Sequence, residues 1–295
     1  MISDALNIDL NLVRRLIASQ FPSWSDLPIT EVLPNGWDNR TFRLGDRMSI
    51  RLPSAERYAA QVDREHRWLP VLSDKLPLPI PTPLAIGKPD DNYPYKWSIY
   101  GWIDGDTAIP ERIDNMPRFA NALSEFLVAL RRVDTSGAPG PGAGHRGGDL
   151  GIYNEQTQQA IEIMGAESDL DRELLTDIWN TALASKWNKP PVWIHGDVSS
   201  GNILVKDGTI SAVIDFGSTA VGDPACDLSI AWTMFDEESR DTFRSGVDLD
   251  EMTWARGKGW TLWKALIILS GISETNTVEG ERSRQTLDRI LNDHI

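Results

Sequence analysis

Apolar residues at Leu12, Val13, Leu16 and Ile17 recur at the spacing of one helical face, so the opening segment from Leu6 to Phe21 is expected to be a helix that Pro22 ends. Three short apolar runs follow, Ile29 to Leu33, Thr41 to Leu44 and Met48 to Leu52, separated by Asn-Gly and Gly-Asp turn signals. That alternation predicts an antiparallel meander. A helix is expected around Ala59 to Leu69. The run from Leu76 to Pro83 carries a proline at every second position, which excludes a helix and predicts an extended connector. It leads into two further strand candidates, Leu84 to Gly87 and Tyr95 to Ile103.

The pattern changes near Trp102-Ile103-Asp104-Gly105-Asp106, after which helical periods dominate. Leu123, Phe126, Leu127 and Leu130 follow the i, i+3, i+4, i+7 rule of a buried helix. Further helices are expected at Thr157 to Met164, Leu170 to Leu183, Trp254 to Leu269 and Leu287 to Leu291, with Pro190-Pro191 as a stop between them. These periods predict an α+β chain of two lobes. The first is a small antiparallel-sheet lobe over residues 1–101, the second a larger, mostly helical lobe over 102–295, with a hinge near 98–103.

Composition adds exclusions. A chain of 295 residues buries a large core, and its 41% hydrophobic and 24% charged residues are ordinary for a globular protein. A formal net charge of −14 excludes a nucleic-acid partner, which needs clustered Lys and Arg, and would suit a cationic ligand. Cys226 is the sole cysteine, so a disulfide framework and a thiolate zinc site are ruled out. The start, Met1-Ile2-Ser3-Asp4, lacks a signal peptide's basic and apolar regions, and the apolar stretch from Trp260 to Ile272 is interrupted by Lys264. A cytoplasmic location without membrane attachment is the expectation.

The chemistry concentrates in Val192-Trp193-Ile194-His195-Gly196-Asp197-Val198-Ser199-Ser200-Gly201-Asn202-Ile203-Leu204-Val205 and in Ile214-Asp215-Phe216-Gly217. Asn202 follows Asp197 by five positions, the spacing of a kinase catalytic loop, whose Asp orients an acceptor hydroxyl and whose Asn holds a metal. Asp215 stands in Asp-Phe-Gly form, the metal-holding acid of phosphoryl transfer. Asn202 and Asp215 offer hard oxygen ligands suited to Mg2+. Ile203 to Val205 and Ile210 to Ile214, joined by the Asp207-Gly208 turn, predict a hairpin that brings Asn202 and Asp215 together at its open end. His195 is expected to be packed, shaping the loop through a backbone hydrogen bond.

In the first lobe, Arg51 lies where a strand would present a cation to phosphates, and Glu65, on the following helix, is its candidate partner. Gly36, in the turn Pro34 to Asn39, occupies the place of a phosphate-covering loop, although the full Gly-x-Gly-x-x-Gly pattern is missing. Backbone groups around Ile99 to Gly101 are candidates for bonding a nucleotide base. Gly142-Ala143-Gly144-His145-Arg146-Gly147 matches a dinucleotide fingerprint in form, but a Pro/Gly run precedes it in place of a strand, so it is set aside. Walker and Gly-x-Ser-x-Gly motifs are absent.

Taken together, His195-Gly196-Asp197-x4-Asn202, Ile214-Asp215-Phe216-Gly217 and Gly222-Asp223-Pro224-x2-Asp227-Leu228 resemble the aminoglycoside phosphotransferase family, within the protein-kinase-like fold. The resemblance covers the second lobe well and the first loosely, through Gly36, Arg51 and Glu65. It implies Asp197 as catalytic base, Asn202 and Asp215 as Mg2+ ligands, Arg51–Glu65 as the phosphate-orienting pair and ATP or GTP as co-substrate. Asp227 would brace the catalytic loop through backbone hydrogen bonds. Two departures, the glycine-poor loop and Arg51 where the family pattern has Lys, bear on nucleotide geometry.

Only Ser218 to Val221 separate Asp-Phe-Gly from Gly222-Asp223-Pro224, and Gly196 stands where protein kinases carry Arg. No platform remains for a peptide, so a small-molecule hydroxyl acceptor is expected, aminoglycoside-like by resemblance. Asp227, Asp236, Glu237, Glu238, Asp241, Asp248, Asp250 and Glu251 would suit a cationic one. A macrolide, a choline-type or sugar metabolite, and a nucleotide-binding pseudokinase are the alternatives. Trp232, Trp254, Trp260 and Trp263 are expected mostly in the core.

Overall fold

The computed structural model describes residues 6–33, 36, 38–141, 146–167 and 170–293. They form two units, one of Met1–Gly105 with Ala212–Gly217 and one of Asp106–Ser211 with Ser218–Ile295. The short segment Ala212–Gly217, which carries Asp215, thus belongs to the smaller unit although the chain reaches it from the larger.

The smaller unit begins with α1, Leu10–Gln20. The helix starts later than the apolar period suggests, because the Asp9 carboxylate caps it by accepting the Leu12 amide at 2.8 Å. Its buried stripe of Leu12, Val13, Leu16 and Ile17 packs on a five-stranded antiparallel sheet. The strands are β1 (Ile29–Glu31), β2 (Asn39–Leu44), β3 (Met48–Pro53), β4 (Pro83–Gly87) and β5 (Trp97–Gly101), in the order β1-β2-β3-β5-β4. β5 is shorter than the apolar run around it. Between β3 and β4 lies α2, Glu56–Ser73, which continues through Pro70 into a last turn beyond the expected end.

Strand alternation decides which side chains serve the core. Ile50 and Leu52 on β3, with Ile99 on β5, are fully buried in the cluster under α1. The intervening residues point the other way. Arg51 pairs in register with Ser98, so Arg51, Ser98 and Tyr100 share the opposite face. There they meet α2: His66 Nε2 lies 3.1 Å from Ser98 Oγ, and the Tyr100 hydroxyl donates to Glu65.

In the larger unit, β6 is Asp106–Thr107, α3 Met116–Arg131, α4 Asn154–Glu167 and α5 Arg172–Leu183. β7 is Val192–Ile194, β8 Ile203–Lys206 and β10 Ala220–Gly222, while β9, Thr209–Val213, has its last two residues in the smaller unit. The closing helices are α6 (Ile230–Thr233), α7 (Glu237–Val247), α8 (Glu251–Leu269) and α9 (Thr277–Leu291). β7 pairs antiparallel with β10, and a second small sheet runs in the order β6-β8-β9. α9 begins well before the expected Leu287, because its first half is polar and its start is set by the Asn276 cap on the Glu279 amide. Trp232, Trp254 and Trp260 are buried, and Trp263 stacks on Tyr153 at 3.9 Å. Among the described residues, no helix is long and apolar enough to cross a membrane.

Candidate active site

Asp197 lies just after β7, in a turn made by Gly196. Gly196 takes φ of +85°, and a Cβ there would meet the Ser218 carbonyl oxygen at 2.6 Å. Only glycine combines that conformation with that approach. The turn is held from below by Asp227, whose carboxylate accepts the amides of His195 at 2.8 Å and Gly196 at 2.7 Å. Burial pushes the Asp227 carboxyl above its usual range, and His195 together with these two amides pulls against that rise. His195 is fully buried, and its Nδ1 accepts the Asp197 amide at 3.2 Å. The bracing role and the packed histidine both match expectation.

Asn202 closes the loop. Its Nδ2 donates to the Asp197 carbonyl and to Asp197 Oδ2, both at 2.9 Å. The side-chain nitrogen is consumed, which leaves Oδ1 as the group available to a cation. The other carboxylate oxygen of Asp197, Oδ1, accepts a hydrogen bond from Arg146 Nη1, which also donates to the Gly196 carbonyl at 2.9 Å. Arg146 did not emerge as a site residue from the sequence. It sits in the glycine-rich run whose formal dinucleotide match lies mostly on residues 142–145, outside the described residues.

The smaller unit holds the remaining group. Arg51 Nη2 donates to Asp215 Oδ1 at 3.1 Å, and its Nη1 lies 3.6 Å from Glu65 Oε1. Burial works to strip the Arg51 proton, but Glu65 and Asp215 outweigh it and raise the pKa above the ordinary guanidinium value. Glu65 is 4% exposed, and burial raises its carboxyl against the pull of Arg51 and Tyr100. Asp215 takes φ of +66°, a left-handed conformation that non-glycine residues seldom adopt. Three bonds fasten its segment: Val213 N–H to the Pro79 carbonyl at 3.0 Å, Arg64 to the Gly217 carbonyl at 3.1 Å, and the Arg51 contact. Strain of this kind is retained where surrounding structure over-determines it.

The other first-lobe candidates are placed differently. Gly36 is exposed, and its carbonyl accepts from Arg40 Nη1 at 2.9 Å, while its neighbours 34, 35 and 37 lie outside the described residues. Ile99 is buried in mid-sheet. The Gly101 amide donates to the Thr82 carbonyl at 2.9 Å, so it is already engaged.

Among the described residues, no three of His, Cys, Asp and Glu cluster as a metal centre. Mg2+ does not need one, since it keeps several waters and binds through one or two protein oxygens plus phosphates. A carboxylate on Asp215 and an amide oxygen on Asn202 are the donor chemistry it prefers.

Several of the acids between Asp223 and Glu251 are already committed. Asp223 pairs with buried Arg256 at 2.6 Å, Asp236 caps α7, Asp250 caps α8 and pairs with Lys189 at 2.7 Å, and Glu251 pairs with Arg244. Glu238 and Asp241 remain exposed beside Asn121 and Ser245, around an open cavity.

The sequence matches the phosphotransferase enzyme family over residues 29–260. Among solved structures, the GDP complex of wild-type aminoglycoside 2'-phosphotransferase-IIIa is similar, with a TM-score of 0.72, 20% identity, and coverage of 97% of this chain and 99% of that one. The GDP and kanamycin complex of APH(2")-IIia gives 0.70 and 20%, covering 96% and 98%. The apoenzyme of macrolide 2'-phosphotransferase MphH from Brachybacterium faecium gives 0.60 and 20%, covering 95% and 98%. No curated protein matches the chain. At these identities the structures establish a shared fold, which is α+β and protein-kinase-like.

Proposed function

This chain belongs to the phosphotransferase enzyme family, and we propose that it is a small-molecule kinase transferring the γ-phosphate of ATP or GTP to a hydroxyl of an aminoglycoside-like acceptor. Asp197 is the catalytic base in this reading. It accepts a hydrogen bond from the attacking hydroxyl and takes the proton as the bond to phosphorus forms. Asn202 and Asp215 are the Mg2+ ligands, and the ion, when bound, neutralises charge on the phosphates. Arg51, kept in place by Glu65, is the phosphate-facing cation, and the smaller unit is the nucleotide-binding one. The backbone near Ile99 to Gly101 and the turn at Gly36 are the nucleotide contacts.

The observation that carries the proposal is the state of Asp197. Its turn is fixed by Asp227, and its Oδ2 is held by the same Asn202 whose remaining oxygen suits a metal. A module that merely bound nucleotide would have no need of a carboxylate so constrained. A small acceptor is favoured because β10 begins at Ala220 and pairs at once with β7, which leaves no long segment after Gly217 on which a peptide could lie.

A second reading, an uncharged metabolite or macrolide as acceptor, draws support from the Arg146 cation on Asp197 and from the committed acids of 223–251. A coupled nucleotide-turnover assay with ATP and GTP, run against aminoglycosides, macrolides, choline and sugars, separates these. Acceptor-dependent turnover that disappears in Asp197→Ala supports the kinase. Turnover that persists in Asp197→Ala, or none with any acceptor, contradicts it.

A further inference from the structure

We infer that Arg146 is a positioning residue for Asp197, doing from a distant loop what the residue before the catalytic aspartate cannot do here because it is Gly196. The inference rests on the reading of Asp197 as the base.

One guanidinium nitrogen, Nη1, donates both to the Gly196 carbonyl and to Asp197 Oδ1. It therefore ties the carboxylate to the backbone of its own turn. Asn202 holds the opposite oxygen, Oδ2, at 2.9 Å. With one donor on each oxygen the carboxylate is fixed in orientation, and each oxygen keeps a lone pair for a further donor. An acid 38% exposed at its side chain would otherwise sample several rotamers.

Arg146 is itself held for this purpose. The next residue, Gly147, takes φ of +83°, and a Cβ there would meet Ile194 Cδ1 at 2.3 Å. Its carbonyl accepts the Asp223 amide at 2.9 Å, and a Cβ on Gly222 would meet that carbonyl oxygen at 2.3 Å. The turn carrying Arg146 is thus clamped against the same β7–β10 pair that leads into Asp197. Burial works to strip the guanidinium of its proton, but the Asp197 carboxylate outweighs it and keeps it charged. A fixed cation on a fixed loop is what distinguishes an orienting contact from a passing surface ion pair.

The test compares wild type, Arg146→Ala, Arg146→Lys and Asp197→Ala. Each is assayed with Mg-ATP and the panel compound that wild type turns over fastest, and each is checked for an unchanged thermal midpoint. Arg146→Ala is expected to lower kcat about a hundredfold, the scale of a small misplacement of a reacting group, with KM for ATP unchanged. Arg146→Lys is expected to recover part of the loss, and added guanidinium to recover part of it in Arg146→Ala. A crystal structure of Arg146→Ala needs no acceptor, and there the Asp197 carboxylate is expected to leave its orientation toward Asn202. A kcat within twofold of wild type, a loss that neither lysine nor guanidinium relieves, or an unmoved carboxylate overturns the inference. Full activity in Asp197→Ala would instead remove the assignment of the base, so the two failures are distinct.

Discussion

The Asp227 carboxylate accepts the backbone amides of both His195 and Gly196, at 2.8 and 2.7 Å, so an acid in the segment after β10 shapes the turn that presents Asp197. A buried carboxylate is a costly way to hold a turn, and two charge-assisted bonds are what offset that cost. Asp227→Ala leaves two buried amides without an acceptor. It is expected to destabilise the protein by about 3 kcal/mol, at roughly 1.5 kcal/mol or more for each bond to a charged group. Urea unfolding measures the loss. A midpoint equal to wild type would show that the turn holds without its brace.

Gly196→Ala attacks the same turn from the other side. The added Cβ meets the Ser218 carbonyl at 2.6 Å, in a conformation with φ of +85°. A stability loss of about 2 kcal/mol and a larger proportional loss of kcat are expected, with nucleotide affinity kept. Parallel denaturation and ATP-binding titrations check this, and a variant as active and as stable as wild type would contradict it.

Arg51 reaches two acids at once, Glu65 and Asp215. Arg51→Ala strands the Glu65 carboxylate, which is 4% exposed, and is expected to cost about 3 kcal/mol or more. Arg51→Lys keeps the charge but loses the planar fork, so it should fold while binding ATP about tenfold more weakly, the worth of one charge-assisted bond. Calorimetric ATP binding decides it. Unchanged affinity in Arg51→Lys would mean that the fork has no role.

Local periodicity revealed most of the elements, because strand alternation and helical stripes are written into neighbouring residues. The Arg51–Glu65 pair was legible for that reason: Arg51 interrupts an apolar strand, and Glu65 follows one helix later. Asp197, Asn202 and Asp215 were legible through their spacing, and Asp227 through the motif it closes. Arg146 was not. Its partner is far away in sequence, and the glycines around it, which serve to fit a turn against Ile194 and Gly222, mimic an unrelated fingerprint. The acids between Asp223 and Glu251 show the opposite error. Composition offers them all to a cationic acceptor, whereas caps and ion pairs engage Asp223, Asp236, Asp250 and Glu251. The start of α9 was hidden because a polar, capped helix turn has no apolar stripe.

The Asp250 cap has a pH signature. Its carboxyl is pulled down to about 2, chiefly by the Lys189 hydrogen bond, with the Thr253 hydroxyl and amide assisting. A carboxyl whose folded pKa lies below the ordinary 3.8 adds stability above that value and loses it as pH falls through about 2. Asp250→Asn keeps a capping side chain but removes the charge. Because the pair is exposed and screened, the cost near neutral pH is expected to be only about 0.5 kcal/mol. The difference from wild type should shrink between pH 4 and pH 2. Urea midpoints across that range test the sign, and a difference that grows on acidification would reverse it.

The central claim is that Asp197 takes a proton from an acceptor hydroxyl. Single-turnover transfer of the labelled γ-phosphate from Mg-ATP to the panel acceptor that wild type turns over fastest, compared between wild type and Asp197→Asn, tests it most directly. The account predicts labelled acceptor from wild type and a transfer rate about a hundredfold or more lower in the variant, with ATP still bound. Equal transfer rates in the two proteins would contradict it.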